Sequence, residues 1–159
     1  MVIISDTSPI TNLIKIGKLY ILELLFTEII IPVKVYEELA NYENQKEIIS
    51  QCAWIKVKKV QQTDLVQQLA NFLDDGEAEA IALANELNAR FLIIDERKGR
   101  QYAEKYGLKI IGLLGILIRA KQKGHIDFLK PILTELENDI GFRMSKSLLE
   151  RVLREAGET

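Results

Sequence analysis

One histidine and one cysteine are all that 159 residues contain of either, and each scarcity excludes a class of chemistry. A lone His125 leaves no histidine-based zinc site and no Ser-His-Asp triad. A lone Cys52 forms no internal disulfide and has no ligand spacing around it. Basic residues are not in excess either. The 21 Lys and Arg face 23 Asp and Glu, a formal charge of −2, so the basic footprint of a high-affinity DNA-binding module is missing. A small basic rim beside an acidic metal site stays compatible with a nuclease. No window approaches about 18 uninterrupted apolar residues, and the chain opens on strand-like VIIS rather than on a basic stretch. The expectation is a cytoplasmic protein with no membrane segment. LLGILIRAKQKG carries glycines but not the Lys-Ser/Thr of a phosphate loop. Repeats, low-complexity segments and long linkers are absent too.

What is present suits one globular domain over residues 1–159, with 48% apolar and 28% charged residues. Short apolar runs at Val2–Ser5, Glu28–Ile31, Trp54–Val57, Arg90–Ile94 and Lys109–Ile111 read as strands buried on both faces. Helical patterns fill the gaps: Pro9–Lys15 with Ser8 as N-cap, Lys18–Leu25, Pro32–Asn41, Glu43–Gln51, Thr63–Leu73, Asp75–Asn88, Lys98–Tyr106 and Leu113–Lys123. Asp127–Asn138 and Ser145–Ala156 follow, so residues after about Ile126 read as a helical cap or arm of the same domain. Alternating strands and helices predict a three-layer α/β fold with a mainly parallel central sheet and helices on both faces.

Ligands of open parallel sheets bind beyond the carboxyl ends of the strands. Asp6 follows the first predicted strand; Asp95, with Glu96 beside it, follows the fourth. Acids are also common in turns and caps, but like charges held close are tolerated only with a cation or a shared proton. A third acid comes from DDGEAEAIALANEL. Projected along a helix, Ala80, Ile81, Ala84 and Leu87 fall roughly within 80° of Glu77, while Glu79 and Glu86 lie opposite. Glu77 thus points toward the sheet and Glu79 toward water. Asp74 and Glu77 also have the spacing of a capping box. A fourth candidate lies in IPVKVYEELA, where helical projection does not choose between Glu37 and Glu38.

Several carboxylates without histidine select a hard divalent cation, Mg²⁺ or Mn²⁺. Such a site polarises a phosphoryl oxygen and activates a water, the services that phosphodiester hydrolysis needs. Thr7 and Ser8 supply hydroxyls beside Asp6, for a metal-bound water or a substrate phosphate. DERKGR puts Arg97, Lys98 and Arg100 after Asp95 at a helix start, where anions are favoured.

Four segments in this order, VIISDTSPI, IPVKVYEEL, LDDGEAEAIALA and LIIDERKGR, resemble the PIN-domain nucleases. Within that superfamily the chain looks most like a prokaryotic branch related to VapC-type toxins. GLKIIGLLGILIRAKQKG and GFRMSKSLLERVLREAGE extend the likeness over nearly the whole chain. The resemblance implies metal-dependent endoribonuclease chemistry on RNA and a toxin neutralised by a small antitoxin protein. It matches Asp6 to the first acid, Glu38 to the glutamate of a V-x-x-E pattern, Glu77 to the glutamate after glycine, and Asp95 to the acid after the fourth strand. Ser8 matches the supporting hydroxyl, and Glu96 a frequent second acid. Two departures stand out. Leu113 follows Gly112 where the branch usually has threonine, and many VapC-type proteins use an aspartate one turn away in place of Glu77, which keeps Glu79 in reserve.

The leading expectation is therefore a Mg²⁺- or Mn²⁺-dependent ribonuclease toxin. Leu113 motivates an alternative: an RNA- or protein-binding module with weakened turnover. A phosphate-transfer domain built on Asp6 is disfavoured, because the second aspartate such sites use is Ser8 here. The apolar helical pattern of FLKPILTELENDIGFRMSKSLLERVL suggests a homodimer or a seat for an antitoxin helix.

Overall fold

Five short strands build one all-parallel sheet in the order β3-β2-β1-β4-β5, in a computed structural model that describes residues 1–158. The strands are β1 (Ile3–Ser5), β2 (Ile29–Pro32), β3 (Ile55–Lys58), β4 (Phe91–Ile93) and β5 (Ile110–Ile111). β1 is central: Ile4 stands opposite Ile30 of β2, and Ile3, Ile4 and Ser5 stand opposite Phe91, Leu92 and Ile93 of β4. The chain winds outward from β1 to β3, then returns to β4 on the other side. The switch in winding direction thus falls between β1 and β4, where open parallel sheets leave a ligand crevice.

Parallel neighbours need long crossovers, and helices supply them. They are α1 (Thr7–Lys15), α2 (Tyr20–Phe26), α3 (Val33–Ala40), α4 (Glu43–Ser50), α5 (Thr63–Ala70), α6 (Asp75–Glu86), α7 (Arg97–Lys105), α8 (Leu113–Gln122), α9 (Lys130–Glu135) and α10 (Lys146–Glu155). Strand side chains alternate between two cores. Ile3, Ile29, Ile31 and Ile93 join Leu13, Leu22, Leu113 and Leu117 on one side. Ile4, Leu92 and Ile94 join Ala78, Ile81, Leu83 and Ala103 on the other. This is the expected three-layer α/β architecture.

Several local expectations change. β3 is an edge strand in which Ile55 is buried while Lys56, Val57 and Lys58 are exposed, so it is not covered on both faces. Its lysines suit an edge that must not pair with other chains. α1 begins earlier than expected: Asp6 takes the N-cap position, and Ser8 and Pro9 sit inside the first turn. Pro32 ends β2 and precedes α3 rather than opening its first turn. α6 is buried from Gly76 through Ala84 except at Glu79, because α3, α5 and the sheet close around its small alanines.

The C-terminal segment is not an arm. α9 runs on through a π-helical turn, Leu136–Ile140, and Leu129, Leu133, Leu136 and Val152 are buried in the first core. That burial absorbs most of the apolar surface that suggested a second copy, although Phe128 stays exposed. Glu158 fastens the end. Its carboxylate accepts from Lys121 Nζ at 2.7 Å, from the Leu129 N–H at 2.7 Å and from the Lys130 N–H at 3.2 Å. Among the described residues, no helix is long and apolar enough to cross a membrane.

Candidate active site

The carboxyl edge of the sheet at the switch point collects acids from four elements. Asp6 closes β1, and its N–H donates to the Ile93 carbonyl at 2.9 Å, which locks the two central strand ends together. Its side chain is only 4% exposed, and it makes no capping hydrogen bond. Burial pushes its carboxyl up to about 8, against the pull of the Thr7 N–H, and the nearby charges of Glu77, Asp74 and Glu38 push the same way. Such a buried acid is either protonated or awaiting a cation.

Glu38 reaches the same edge from α3. Its Oε1 accepts from Thr7 Oγ1 at 2.5 Å, and burial together with Asp74 raises its carboxyl despite that bond. Glu37, the neighbour that helical projection leaves in contention, is exposed and pairs with Lys34 Nζ at 3.6 Å. Glu77 comes from the first turn of α6, where the capping box is real. The Glu77 N–H donates to Asp74 Oδ1 at 2.8 Å, and the Asp74 N–H donates to Glu77 Oε1 at 3.4 Å. That use occupies one oxygen; Glu77 Oε2 is buried with no partner. Burial and the Asp74 charge push this carboxyl up to about 7. The capping and inward-facing readings of Glu77 therefore coexist.

Asp95 lies just past β4. Its Oδ1 accepts from the Leu113 N–H at 2.9 Å, tying the strand end to α8, while Oδ2 is buried and unpartnered. Burial raises its carboxyl against the opposing Leu113 N–H and Arg100 charge. Ser8 Oγ is a third buried polar atom without a partner. Orphaned buried oxygens are uncommon in folded proteins and mark places where an ion or water completes the structure.

Three glycines make room for three of these acids. A Cβ on Gly76 would collide with the Glu38 carboxylate. One on Gly99 would lie 2.6 Å from Glu77 Oε2, and one on Gly112 2.6 Å from Asp95 Oδ1. Each glycine sits at the N-cap or in the first turn of a helix, so each acid lies against a helix N-terminal turn. Asp74, as a neighbour of Asp6, and these three glycines are parts of the site that the sequence pattern alone does not single out. A faint signal for them exists, since each glycine lies at the start of a helix that follows or carries a candidate acid.

Other candidates sit elsewhere. Glu79 does not face water; it is half-buried, and its Oε1 accepts from the Lys34 N–H at 3.1 Å, holding α6 to α3. Glu96 is exposed at the N-cap of α7, close enough for its charge to raise Glu77. Arg100 adjoins Asp95 and the Gly112 backbone. Arg97 is exposed, and Lys98 lines an open hollow with Gln101, Tyr102 and Lys105 on the outer side of α7. Leu113, the position that departs from threonine, is fully buried in the first core, and only its N–H serves the site.

Among the described residues, no three histidine, cysteine or acidic side chains are already arranged around one metal ion. Mg²⁺ does not require that, since it keeps several waters and takes one or two carboxylates directly. Two unpartnered carboxylate oxygens, hard donors all round and a nearly uncompensated negative edge fit such an ion. The family model DUF3368, described as a PIN domain, matches residues 2–158. No curated protein matches the chain.

Proposed function

Because the chain belongs to the PIN-domain family, a family of nuclease-type fold, we propose that it is a Mg²⁺- or Mn²⁺-dependent endoribonuclease. The observation that carries this is the pair of buried, unpartnered oxygens, Glu77 Oε2 and Asp95 Oδ2, on an edge where Asp6 is pushed up to about 8. One or two of Glu77, Asp95 and Asp6 would hold the ion directly and the rest through its waters, with Glu38 acting through a water that Thr7 helps to orient. The ion would polarise a phosphoryl oxygen and lower the pKa of an attacking water. Arg100 orients the phosphate from the Asp95 side. Ser8 Oγ, without a partner inside the protein, donates to a substrate oxygen. The test is cleavage of RNA by the purified protein in Mg²⁺ or Mn²⁺, in EDTA, and with Asp6→Asn. Cleavage in the divalent ions alone, lost in Asp6→Asn, is expected; cleavage that persists in excess EDTA would sink the proposal.

A toxin role with a small antitoxin protein rests on the family likeness, and a homodimeric state on apolar surface left uncovered, such as Phe128. An apolar groove among Ile14, Leu19, Tyr20, Ile48 and Trp54 offers a seat for either partner. Growth arrest on expression, relieved by a co-expressed neighbouring reading frame, tests the toxin role. Light scattering tests the dimer. A second reading, a binding module with weakened turnover, is favoured by Leu113, whose buried side chain supplies no hydroxyl at the edge. RNA and Mn²⁺ binding without cleavage would establish it.

A further inference from the structure

Phe72 and Tyr102 stack against each other at the surface, with ring centroids 5.5 Å apart and planes inclined by 19°. Phe72 belongs to the turn between α5 and α6 and is 54% exposed, in a protein whose other large apolar side chains are mostly buried. Lys105 Nζ lies 4.5 Å from the Tyr102 ring centroid, so Tyr102 is engaged by both Phe72 and a cation. The open ring surface is therefore that of Phe72. α7 carries Arg97, Lys98, Arg100 and Lys105 against a single acid, Glu104, and of these Lys98 and Lys105 lie beside Tyr102. Lys98, Gln101, Tyr102, Glu104 and Lys105 line one open hollow, two cations against one acid.

The position matters as much as the composition. Phe72 stands two residues before Asp74, the cap that binds Glu77. Tyr102 stands three residues after Gly99, whose missing Cβ admits Glu77 Oε2. Residues three apart share a helix face, so one face of α7 meets both Glu77 and Phe72, at points separated by about 5 Å of helix axis. An aromatic plate with adjacent cations, one helical turn from the acids, has the parts of a single-strand platform. Bases stack on the ring because every base has a π-face, and cations follow the backbone. A duplex keeps its bases stacked on one another and offers the ring nothing.

We propose that Phe72, backed by Tyr102, is a base-stacking platform for a single strand, with Lys98 and Lys105 holding the adjoining phosphates. The proposal rests on the ribonuclease reading for the identity of the nucleic acid. It concerns binding, and so is measured apart from turnover. A labelled single-stranded 12-mer RNA and a duplex of the same sequence are titrated with protein in EDTA, followed by anisotropy. Phe72→Leu keeps an apolar neighbour for Tyr102 but removes the ring, and Phe72→Trp restores a ring. Thermal melts confirm that both fold.

Wild-type protein binds the single strand more tightly than the duplex. Phe72→Leu weakens single-strand binding roughly 5- to 150-fold, the range expected for one stacked base. Phe72→Trp binds within about threefold of wild type. Lys98→Gln with Lys105→Gln makes the logarithmic salt dependence shallower by about 0.7 for each phosphate that a lysine no longer neutralises. Equal binding by wild type and Phe72→Leu, or equal binding of duplex and single strand, overturns the platform even if the protein cleaves RNA. Binding that depends on Phe72 without any metal-dependent cleavage upholds the platform and overturns the nuclease. No RNA binding in EDTA overturns the platform and leaves the nuclease to the cleavage assay.

Discussion

Neutralising Asp6 should make the metal-free protein more stable, not less. The carboxyl is 4% exposed, and its folded pKa of about 8 lies far above the ordinary 3.8. Below pH 3.8 it is neutral in both folded and unfolded chains and costs nothing. Between the two values only the unfolded chain ionises, so folding stability falls as pH rises, by about 1.4 kcal/mol per pH unit. Above about pH 8 both states are ionised and the loss is complete. Integrated over the window, the ceiling is roughly 6 kcal/mol, of which about 4 is reached at pH 7. Asn must still place its amide, so Asp6→Asn should gain about 2–4 kcal/mol near pH 7.5, or roughly 5–15 °C in Tm. The assay is thermal and urea melting of both proteins in EDTA at pH 4, 6, 7.5 and 9. The variant should be slightly less stable than wild type at pH 4, by the cost of placing the amide, then overtake it as pH rises, lead at pH 7.5 and level off by pH 9. Added Mn²⁺ should raise the wild-type midpoint and leave the variant almost unmoved. A variant less stable than wild type at pH 9, or a gap that ignores pH, would refute the burial argument.

Gly99→Ala places a methyl 2.6 Å from Glu77 Oε2 and 2.7 Å from Ile94, so it should cost about 1–3 kcal/mol and weaken Mn²⁺ binding measured by calorimetry. Glu79→Ala should cost about 1 kcal/mol through the lost acceptor for the Lys34 N–H, with Mn²⁺ affinity unchanged; a tenfold fall in affinity would place Glu79 among the ligands. Glu158→Ala should destabilise by about 1–3 kcal/mol without altering RNA cleavage, since it removes one acceptor shared by α8 and the start of α9. Burial pushes the Glu158 carboxyl up, but the Leu129 and Lys130 N–H groups and Lys121 together outweigh it and lower it, so this contribution is present above its ordinary pKa and fades as acid titrates it. Acid melts of wild type and variant should therefore converge.

Most of the architecture is readable in the residues because the signals are local. VIIS, EIII and FLII are short, strongly apolar runs of the kind inner strands use, and Gly107 and Gly124 stop helices where a positive φ is needed. The inward aim of Glu77 follows from helix geometry, and its capping box from spacing. Legibility fails where the cause is tertiary. Nothing in IKVK announces that β3 lies at the edge, since strand order is decided by crossovers. Asp6 takes the cap position with its N–H held by the end of β4, a partner far away in sequence. Glu37 and Glu38 are equivalent on a helical wheel and differ only once Thr7 arrives beside α3. Glu79 looks solvated until the start of α3 meets it. The acids could be named from sequence, but their shared environment could not.

The placement of β1 at the middle of the sheet also has a consequence for synthesis. β1 emerges from the ribosome before the other four strands and can pair with β2 as it follows, yet its other neighbour, Phe91–Ile93, comes far later. Until then the central strand has one bare edge, and pairings so distant along the chain form slowly. Asp6 and Asp95 reach one edge of the sheet only by that late closure. A nascent chain that stops before β4 thus carries Asp6, Glu38 and Glu77 but no assembled edge, and any activity must wait for β4 to dock.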